Sequence, residues 1–293
     1  MNISVIVPTK NRIDVLLGCI KSLLRQSLLP DEVIILDQSD DAQELVIRNS
    51  FTLGGISLVY IWDQRLSGLT AARNAGLRKA QGDIVVFLDD DVVLDPEYMR
   101  SVVDVYLSDI YGNIGGVGGI ITNFKFSSRL AALSKFFCFG PWNNKYNFWY
   151  SGGKDLLSTQ FLSGCNMSYR KHIVKGLSFD EWLTGPCIGE DLIFSYQVSR
   201  QYRLVMTPHA KLQHLVCPIG RNRERITRAM GIVNNVYFFT NYVDKSFRNL
   251  LCFICNLAGL LVLPILSMNR ERIHGVYYGL MTVLRGKKYL YRP

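Results

Sequence analysis

Acidic side chains all but vanish from the last third of this chain. Residues 199–293 hold 3 Asp/Glu against 15 Lys/Arg, a balance of +12, while residues 1–198 hold 21 Asp/Glu against 18 Lys/Arg. The formal net charge of +9 is therefore localised. A basic third points to an acidic partner: anionic lipid, a phosphate-rich substrate or nucleic acid. Paired cysteines are lacking too. The seven stand at 19, 138, 165, 187, 217, 252 and 255. Their odd count and apolar surroundings argue against a disulfide framework and for reduced core thiols in a cytosolic compartment. Cys252-x-x-Cys255 has no second pair and no His at zinc spacing, so packing is its expected role. No internal repeat or low-complexity tract is visible, which sets repeat architectures aside. Charged residues make up 19% and hydrophobic ones 48%, a globular composition and not a disordered one. Met1 leads straight into a strand, so no signal peptide is expected.

What is present is a stretch of acid in an unexpected place. Asp89-Asp90-Asp91 ends the apolar run Ile84-Val85-Val86-Phe87-Leu88, which has the pattern of a buried parallel strand. Like charges this close raise one another's pKa unless a cation neutralises them. A divalent metal carrying a diphosphate is the usual cation for such oxygen ligands. The plain alternative is a solvated acidic turn.

Around the triplet, strands and helices alternate. Strands are expected at 3–7, 33–36, 56–62 and 84–88, with helices from Asn11 to Pro30, over 42–50 and over 69–80. That alternation predicts right-handed crossovers and a mostly parallel sheet flanked by helices, an α/β domain with a Rossmann-like nucleotide-binding half. Asp95-Pro96-Glu97 opens a further helix. Strands follow at 115–122, 161–169 and 203–206, the last halted by Pro208, and Gly189-Glu190-Asp191 opens a helix over 192–201. Residues 124–150 carry six Phe, two Trp and two Tyr in what is expected to be a long aromatic loop. From about Arg221 the pattern is helical and basic, and residues 249–269 contain no charge. Two parts are expected: a catalytic domain over 1–220 and a helical, membrane-associating extension over 221–293.

Ser4-Val5-Ile6-Val7-Pro8-Thr9-Lys10-Asn11-Arg12, Val33 to Ser39, Gly68 to Gly76, Gly82-Asp83 with Phe87 to Asp91, Ser163 to Arg170 and Gly189-Glu190-Asp191 occur in a fixed order. In that order they resemble the inverting, nucleotide-sugar-dependent glycosyltransferases of family 2, which have a GT-A fold. The resemblance covers roughly residues 3–215. It departs at Gln38, where the family usually has a second acid after Asp37.

The resemblance implies a division of labour. The donor nucleotide would meet Pro8, Thr9, Arg12, Asp37, Arg73, Asp89 and Asp90, with Asp37 at the base and Asp89 at the ribose. Mn²⁺ or Mg²⁺ would be held by Asp91 with Asp89 and His214. Asp191, with Glu190 beside it, would be the general base, and Trp182 and Gly189 would face the acceptor. Each residue has an ordinary alternative: Asp90 as a turn-stabilising acid, Asp191 as a first-turn helix acid, Arg73 as a surface charge, His214 as a structural imidazole, Trp182 as core. In residues alone, Asp89 and Asp91 share one side of an extended chain.

The expected function is transfer of a sugar from a nucleoside diphosphate to a hydroxyl of a saccharide or lipid-linked acceptor. A sugar-phosphate nucleotidyltransferase would favour glycine in the turn after the first strand, and Pro8 to Arg12 has none. A non-enzymatic membrane-surface or nucleic-acid binder leaves the two acidic motifs unexplained, and no nucleic acid is expected as a partner. The uncharged stretch is near the length of a membrane span. Basic residues on both sides of it, with Asn256 and Pro264 inside, favour a segment lying in the cytoplasmic leaflet. The alternative is helix packing, on the domain or in a dimer, through Gly259 and Gly279.

Overall fold

Alternation along four wholly or partly buried strands sets the architecture. A computed structural model of the chain describes residues 1–50, 55–66, 68–123, 137, 155–184, 188–215 and 224–287. Two compact units divide it: Met1–Phe124 with Asn147–Glu181 and Glu190–Ile219, and Lys125–Tyr146 with Trp182–Gly189 and Gly220–Pro293.

The first unit begins with β1 (Ile3–Thr9), α1 (Ile13–Leu23), β2 (Glu32–Asp37), α2 (Glu44–Ser50), β3 (Ser57–Trp62), α3 (Leu69–Lys79) and β4 (Ile84–Leu88). It continues with β5 (Val92–Leu94), α4 (Tyr98–Ser108), β6 (Ile114–Ile121), β7 (Leu157–Thr159), β8 (Asn166–Arg170), α5 (Lys171–Val174), α6 (Glu190–Ser199) and β9 (Arg203–His214). The sheet has the order β3-β2-β1-β4-β8-β6-β9-β5, with β7 also pairing β9. The β3-β2-β1-β4 half is parallel, as the alternation predicts. Beyond β4 the sheet is mixed, because β8 runs antiparallel to both β4 and β6.

β1, β2 and β4 are buried along their whole length, since helices cover both faces. Successive residues serve opposite cores. Val5, Val33, Ile35, Ile84, Val86 and Leu88 pack with Leu16 and Ile20 of α1 and Val102 of α4. Ile6, Ile34, Leu36, Val85 and Phe87 pack with Ala72 and Leu77 of α3 and Phe194 and Val198 of α6. At roughly 25 cal/mol per Å² of apolar area, these two layers are the main source of stability.

Two strand expectations need correction. Residues 161–165 are not strand: Asn166 N–H donates to Ser163 O at 2.9 Å, closing a turn before β8. Pro208 does not halt β9. The strand passes it through a register shift, where Met206 faces Gly118 and Lys211 faces Ile120. A proline without an N–H is tolerated at such an interruption of the ladder. β5, which the sequence did not announce, pairs with β9 so that Val92 faces His214.

The second unit contains α7 (Glu224–Asn241), α8 (Phe247–Leu266) and α9 (Arg270–Leu284). Gly279 lies against α7, with a built Cβ 3.0 Å from Ile232 Cβ and 3.1 Å from Ala229 O. Arg272 and Asn269 both reach Glu224. Asn235 Nδ2 donates to Asn256 Oδ1 at 2.8 Å, tying α7 to α8. Ser246 caps α8. That helix is long and apolar enough to cross a membrane, and Phe247, Leu250, Ile254, Val262, Ile265 and Leu266 are exposed on it. The expected aromatic loop lies outside the described residues, apart from Phe137.

β6 approaches β9 only because Gly119 lacks a side chain. A Cβ there would stand 2.5 Å from Ala210 O and 2.7 Å from the Tyr98 ring. Gly119→Ala should therefore lower stability by about 1–3 kcal/mol. Urea unfolding should show a lower midpoint with an unchanged slope; an unchanged midpoint would contradict the packing.

Candidate active site

The alternation that builds the two cores also distributes the acids at the end of β4. Asp89 continues the Val85 and Phe87 side, toward α3. There Arg73 Nη2 donates to Asp89 Oδ1 at 2.9 Å. Asp90 continues the Val86 and Leu88 side, toward the start of α1. Arg12 Nη2 lies 2.7 Å from Asp90 Oδ1, and Thr9 Oγ1 donates to Asp90 Oδ2 at 2.7 Å. Asp91 faces His214, with Nε2 2.9 Å from Oδ1, and Arg12 Nη1 lies 3.9 Å from Asp91 Oδ2.

Asp89, Asp91 and His214 each offer a ligand atom, all within 4.8 Å of one another. Two carboxylates and an imidazole suit Mn²⁺, and the carboxylates suit Mg²⁺ equally. Burial alone would lower the imidazole pKa, but hydrogen bonds with Asp91 and Cys165 outweigh it and push His214 up to about 10. The shift favours an imidazolium beside Asp91, and a metal bound there would take the proton's place. Asp90 is fully buried and faces away from this cluster. Burial raises its pKa, Arg12 and Thr9 oppose that, and the value rises to about 7.

Across Arg73 stands a second acidic pair. Arg73 is fully buried. Its Nη1 donates to Glu190 Oε1 at 2.9 Å and its Nη2 to Gly164 O at 2.8 Å. Burial opposes its charge, yet Asp89, Glu190 and Asp191 more than offset that and hold it protonated. Asp191 is only half-buried. Gly164 N–H donates to its Oδ2 at 2.9 Å and Leu192 N–H to its Oδ1 at 2.8 Å. Burial raises the pKa of both acids; Asp191 adds to the rise at Glu190, while the two N–H groups restrain it at Asp191. They titrate as a pair. Gly189, at φ +88°, makes the left-handed turn into α6 that a side chain would resist.

Asp37 lies beside Thr9 across the β1–β2 ladder, where Pro8 faces Leu36. It is fully buried. Ser39 N–H donates to its Oδ1 at 2.8 Å and Tyr60 Oη to its Oδ2 at 2.6 Å. Gln38, the departure from the family pattern, donates through Nε2 to Leu66 O and Gly68 O. Of the residues expected to touch a donor, Asp37, Arg73 and Asp90 are therefore engaged within the protein, while Arg12 remains partly exposed. Trp182 belongs to the second unit, where it stacks on Tyr237 with centroids 3.7 Å apart and planes 1° apart.

Three contributors lie inside the ordered motifs but were given no role by the sequence. Cys165 is buried beside His214. Gly164 supplies both a carbonyl to Arg73 and an N–H to Asp191. Asn74 binds Phe179 N–H and Phe179 O. The available hints were the motif Ser163 to Arg170, which holds Gly164 and Cys165, and Arg73-Asn74 in an Ala-rich helix.

The family model described as glycosyl transferase family 2 matches residues 4–177. An uncharacterized glycosyltransferase of Bacillus subtilis, YwdF, is 36% identical over 101 residues, 34% of this chain and 37% of that one. The cholesterol galactosyltransferase of Borreliella burgdorferi is 27% identical over 245 residues, 82% of this chain and 60% of that one. The chain thus spans less than two thirds of the length of these curated relatives. Among solved structures, the mannosyltransferase PcManGT from Pyrobaculum calidifontis, in complex with GDP-Man and Mn²⁺, superposes with a TM-score of 0.66 at 17% identity, covering 97% of this chain and 75% of that one. The likeness is one of fold, the GT-A sheet with its flanking helices.

Within the triplet, Asp91 belongs to the cluster that could hold a metal, while Asp90 is a buried partner of Thr9 and Arg12. Asp91→Ala should abolish Mn²⁺ binding in an EPR titration while the chain stays folded. Asp90→Ala should instead cost about 1–3 kcal/mol in urea unfolding, because Thr9 and Arg12 lose their buried acceptor. Intact Mn²⁺ binding in Asp91→Ala would remove Asp91 from the metal site.

Proposed function

Because the chain belongs to glycosyl transferase family 2, we propose that it moves a sugar from a nucleoside diphosphate to a hydroxyl of a saccharide or lipid-linked acceptor, with inversion at the anomeric carbon. One observation carries this reading: a metal-competent cluster, Asp89-Asp91-His214, and a half-buried carboxylate, Asp191, flank the same buried guanidinium.

In this reading the acceptor oxygen attacks the anomeric carbon as the bond to the diphosphate oxygen breaks, and Asp191 takes the hydroxyl proton. Glu190 is committed to Arg73 and buried, so Asp191 is the base of the pair. Each Asp191 oxygen accepts one backbone N–H and keeps a lone pair for a hydroxyl. Mn²⁺ or Mg²⁺ at Asp89, Asp91 and His214 would supply positive charge to the leaving diphosphate. The GDP-Man and Mn²⁺ in the solved mannosyltransferase support a donor and metal of this kind. Arg12, at the mouth of the triplet, suits a phosphate oxygen.

The second unit supports a membrane-borne acceptor. Residues 220–293 carry 12 Lys/Arg and 3 Asp/Glu. α8 has exposed apolar residues along its length and basic residues, Lys245 and Arg248, then Arg270 and Arg272, at both ends. Basic charge at both ends suits a helix lying in the interface on the cytoplasmic face. The relative from Borreliella burgdorferi is named for a lipid acceptor, cholesterol.

Two outcomes test this reading. A raised Asp191 pKa means that protonation removes the base before an ordinary aspartate would be reached. The kcat–pH profile should therefore fall on its acidic side above the usual carboxylate range, and Asp191→Asn should lower transfer by ~10²–10⁴-fold with donor binding retained. Lost donor affinity with unimpaired transfer would place Asp191 on the donor side instead. In flotation assays the full chain should rise with vesicles containing phosphatidylglycerol and be weakened in high salt. A chain that stays with the soluble fraction in every lipid mixture would refute the membrane assignment.

A further inference from the structure

The transfer chemistry leaves Arg73 without a task, yet it is the largest of the fully buried side chains among the described residues. Its guanidinium has no exposed surface, so it is not available to a donor in this arrangement. It reaches three separate segments: Asp89 after β4, Gly164 before β8, and Glu190 at the start of α6, at 2.9, 2.8 and 2.9 Å. The Phe179 ring lies under it, 5.5 Å from the guanidinium carbon. Phe179 stacks on Phe194 of α6 at 4.1 Å and meets Phe87 of β4 edge-on at 5.1 Å. Phe87 precedes Asp89 by two residues and Phe194 follows Asp191 by three, so an apolar bridge runs parallel to the ionic one.

Two neighbours confirm that the junction is built closely. A Cβ on Gly164 would stand 3.1 Å from both Arg73 Nη2 and Glu190 Oε1. Asn74, next along α3, donates to Phe179 O and Glu181 Oε1, each at 2.9 Å, and accepts from Phe179 N–H at 2.7 Å. The polar pair on α3 thus fixes both the ionic junction and its aromatic floor. A single buried ion pair could be replaced by apolar packing with little loss of stability. A cation joining one carboxylate of the metal cluster to the turn that bears the base does something packing alone would not. It gives two sites one shared, directional partner.

We propose that Arg73 is a positioning residue that locks the base-bearing turn Glu190–Asp191 to the metal-facing carboxylate Asp89, so that metal binding at Asp89 orders the turn carrying Asp191. The inference rests on the transfer reading for its purpose. Its geometry is independent of the sugar. When Asp89 is drawn to a metal, Arg73 is held between Asp89 and Glu190 in one geometry, and Gly164, bonded to both Arg73 and Asp191, follows.

Hydrogen exchange on the full chain, with and without Mn²⁺, tests the link without any donor or acceptor. In the wild type, Mn²⁺ should slow exchange of the amides of residues 188–195. Arg73→Lys keeps a cation beside Asp89 but cannot span to Glu190 and Gly164. It should still bind Mn²⁺ by EPR, weakened by about tenfold at most, while the response at 188–195 disappears. Gly164→Ala leaves Arg73 in place and crowds the junction, and it should show the same loss, which keeps the test decisive should Arg73→Lys fold poorly. Where donor turnover is measured, Arg73→Lys should lower kcat more than it raises the donor KM. The inference is overturned if residues 188–195 respond to Mn²⁺ equally in wild type and both variants, if the wild type shows no response, or if only donor KM changes. Failure of the transfer reading is a separate result, seen as a wild type that transfers from no nucleotide sugar while the exchange response persists.

Discussion

Three adjacent carboxylates at the end of a buried strand repel one another, and the site is organised by where each finds its cation. Asp89 takes Arg73 from α3, Asp90 takes Arg12 from the start of α1, and Asp91 takes His214 from the end of β9. These partners come from separate stretches of the chain. Each is delivered by an element whose apolar face is fixed by the sheet. Neutralising the triplet and folding the first unit are thus one problem, since a misplaced α3 or β9 would leave a buried charge without its partner, at a cost of several kcal/mol.

The three pairings have different consequences because their surroundings differ. Asp90 is closed off, with Thr9 and Arg12 as its partners, and its role is to hold β1 and α1 against β4. Asp89 and Asp91 share a small space with an imidazole, and that space suits a divalent cation. Arg73 adds a further property, because it pairs with both Asp89 and Glu190. The turn that carries Asp191 is consequently tied to Asp89 by a rigid, planar group and not by backbone continuity.

The second unit follows another logic. Its helices meet through small residues and a few polar bonds: Gly279 against Ala229 and Ile232, Glu224 with Arg272 and Asn269, and Asn235 with Asn256. α8 keeps Gly259 and Pro264 buried and leaves a row of large apolar residues outward. Exposed apolar surface on this scale marks an interaction site. The basic residues at its ends are what the proposed anionic lipid surface would meet.

Much of this was legible in residues alone, for a physical reason. Strands buried on both faces must be apolar throughout, so β1, β2 and β4 announced themselves, and acids at the end of such a run stand out against it. The ordered motifs marked Asp89 to Asp91, Glu190-Asp191 and His214 before any contact was known. Tertiary structure alone decided the pairings. β5 has three residues, too few for a pattern, yet its ladder with β9 brings His214 to Asp91. β9 outlasts Pro208 because a register shift absorbs the missing N–H, which local signals do not reveal. The family resemblance put Arg73 at the donor nucleotide, and its local context allowed an ordinary helix charge. Its burial between Asp89 and Glu190 depends on residues 16 and 117 positions away. Local propensity and spacing determined which elements form and which residues carry charge. Packing across the sheet decided which charges meet, because that distance is set by the fold and not by position along the chain.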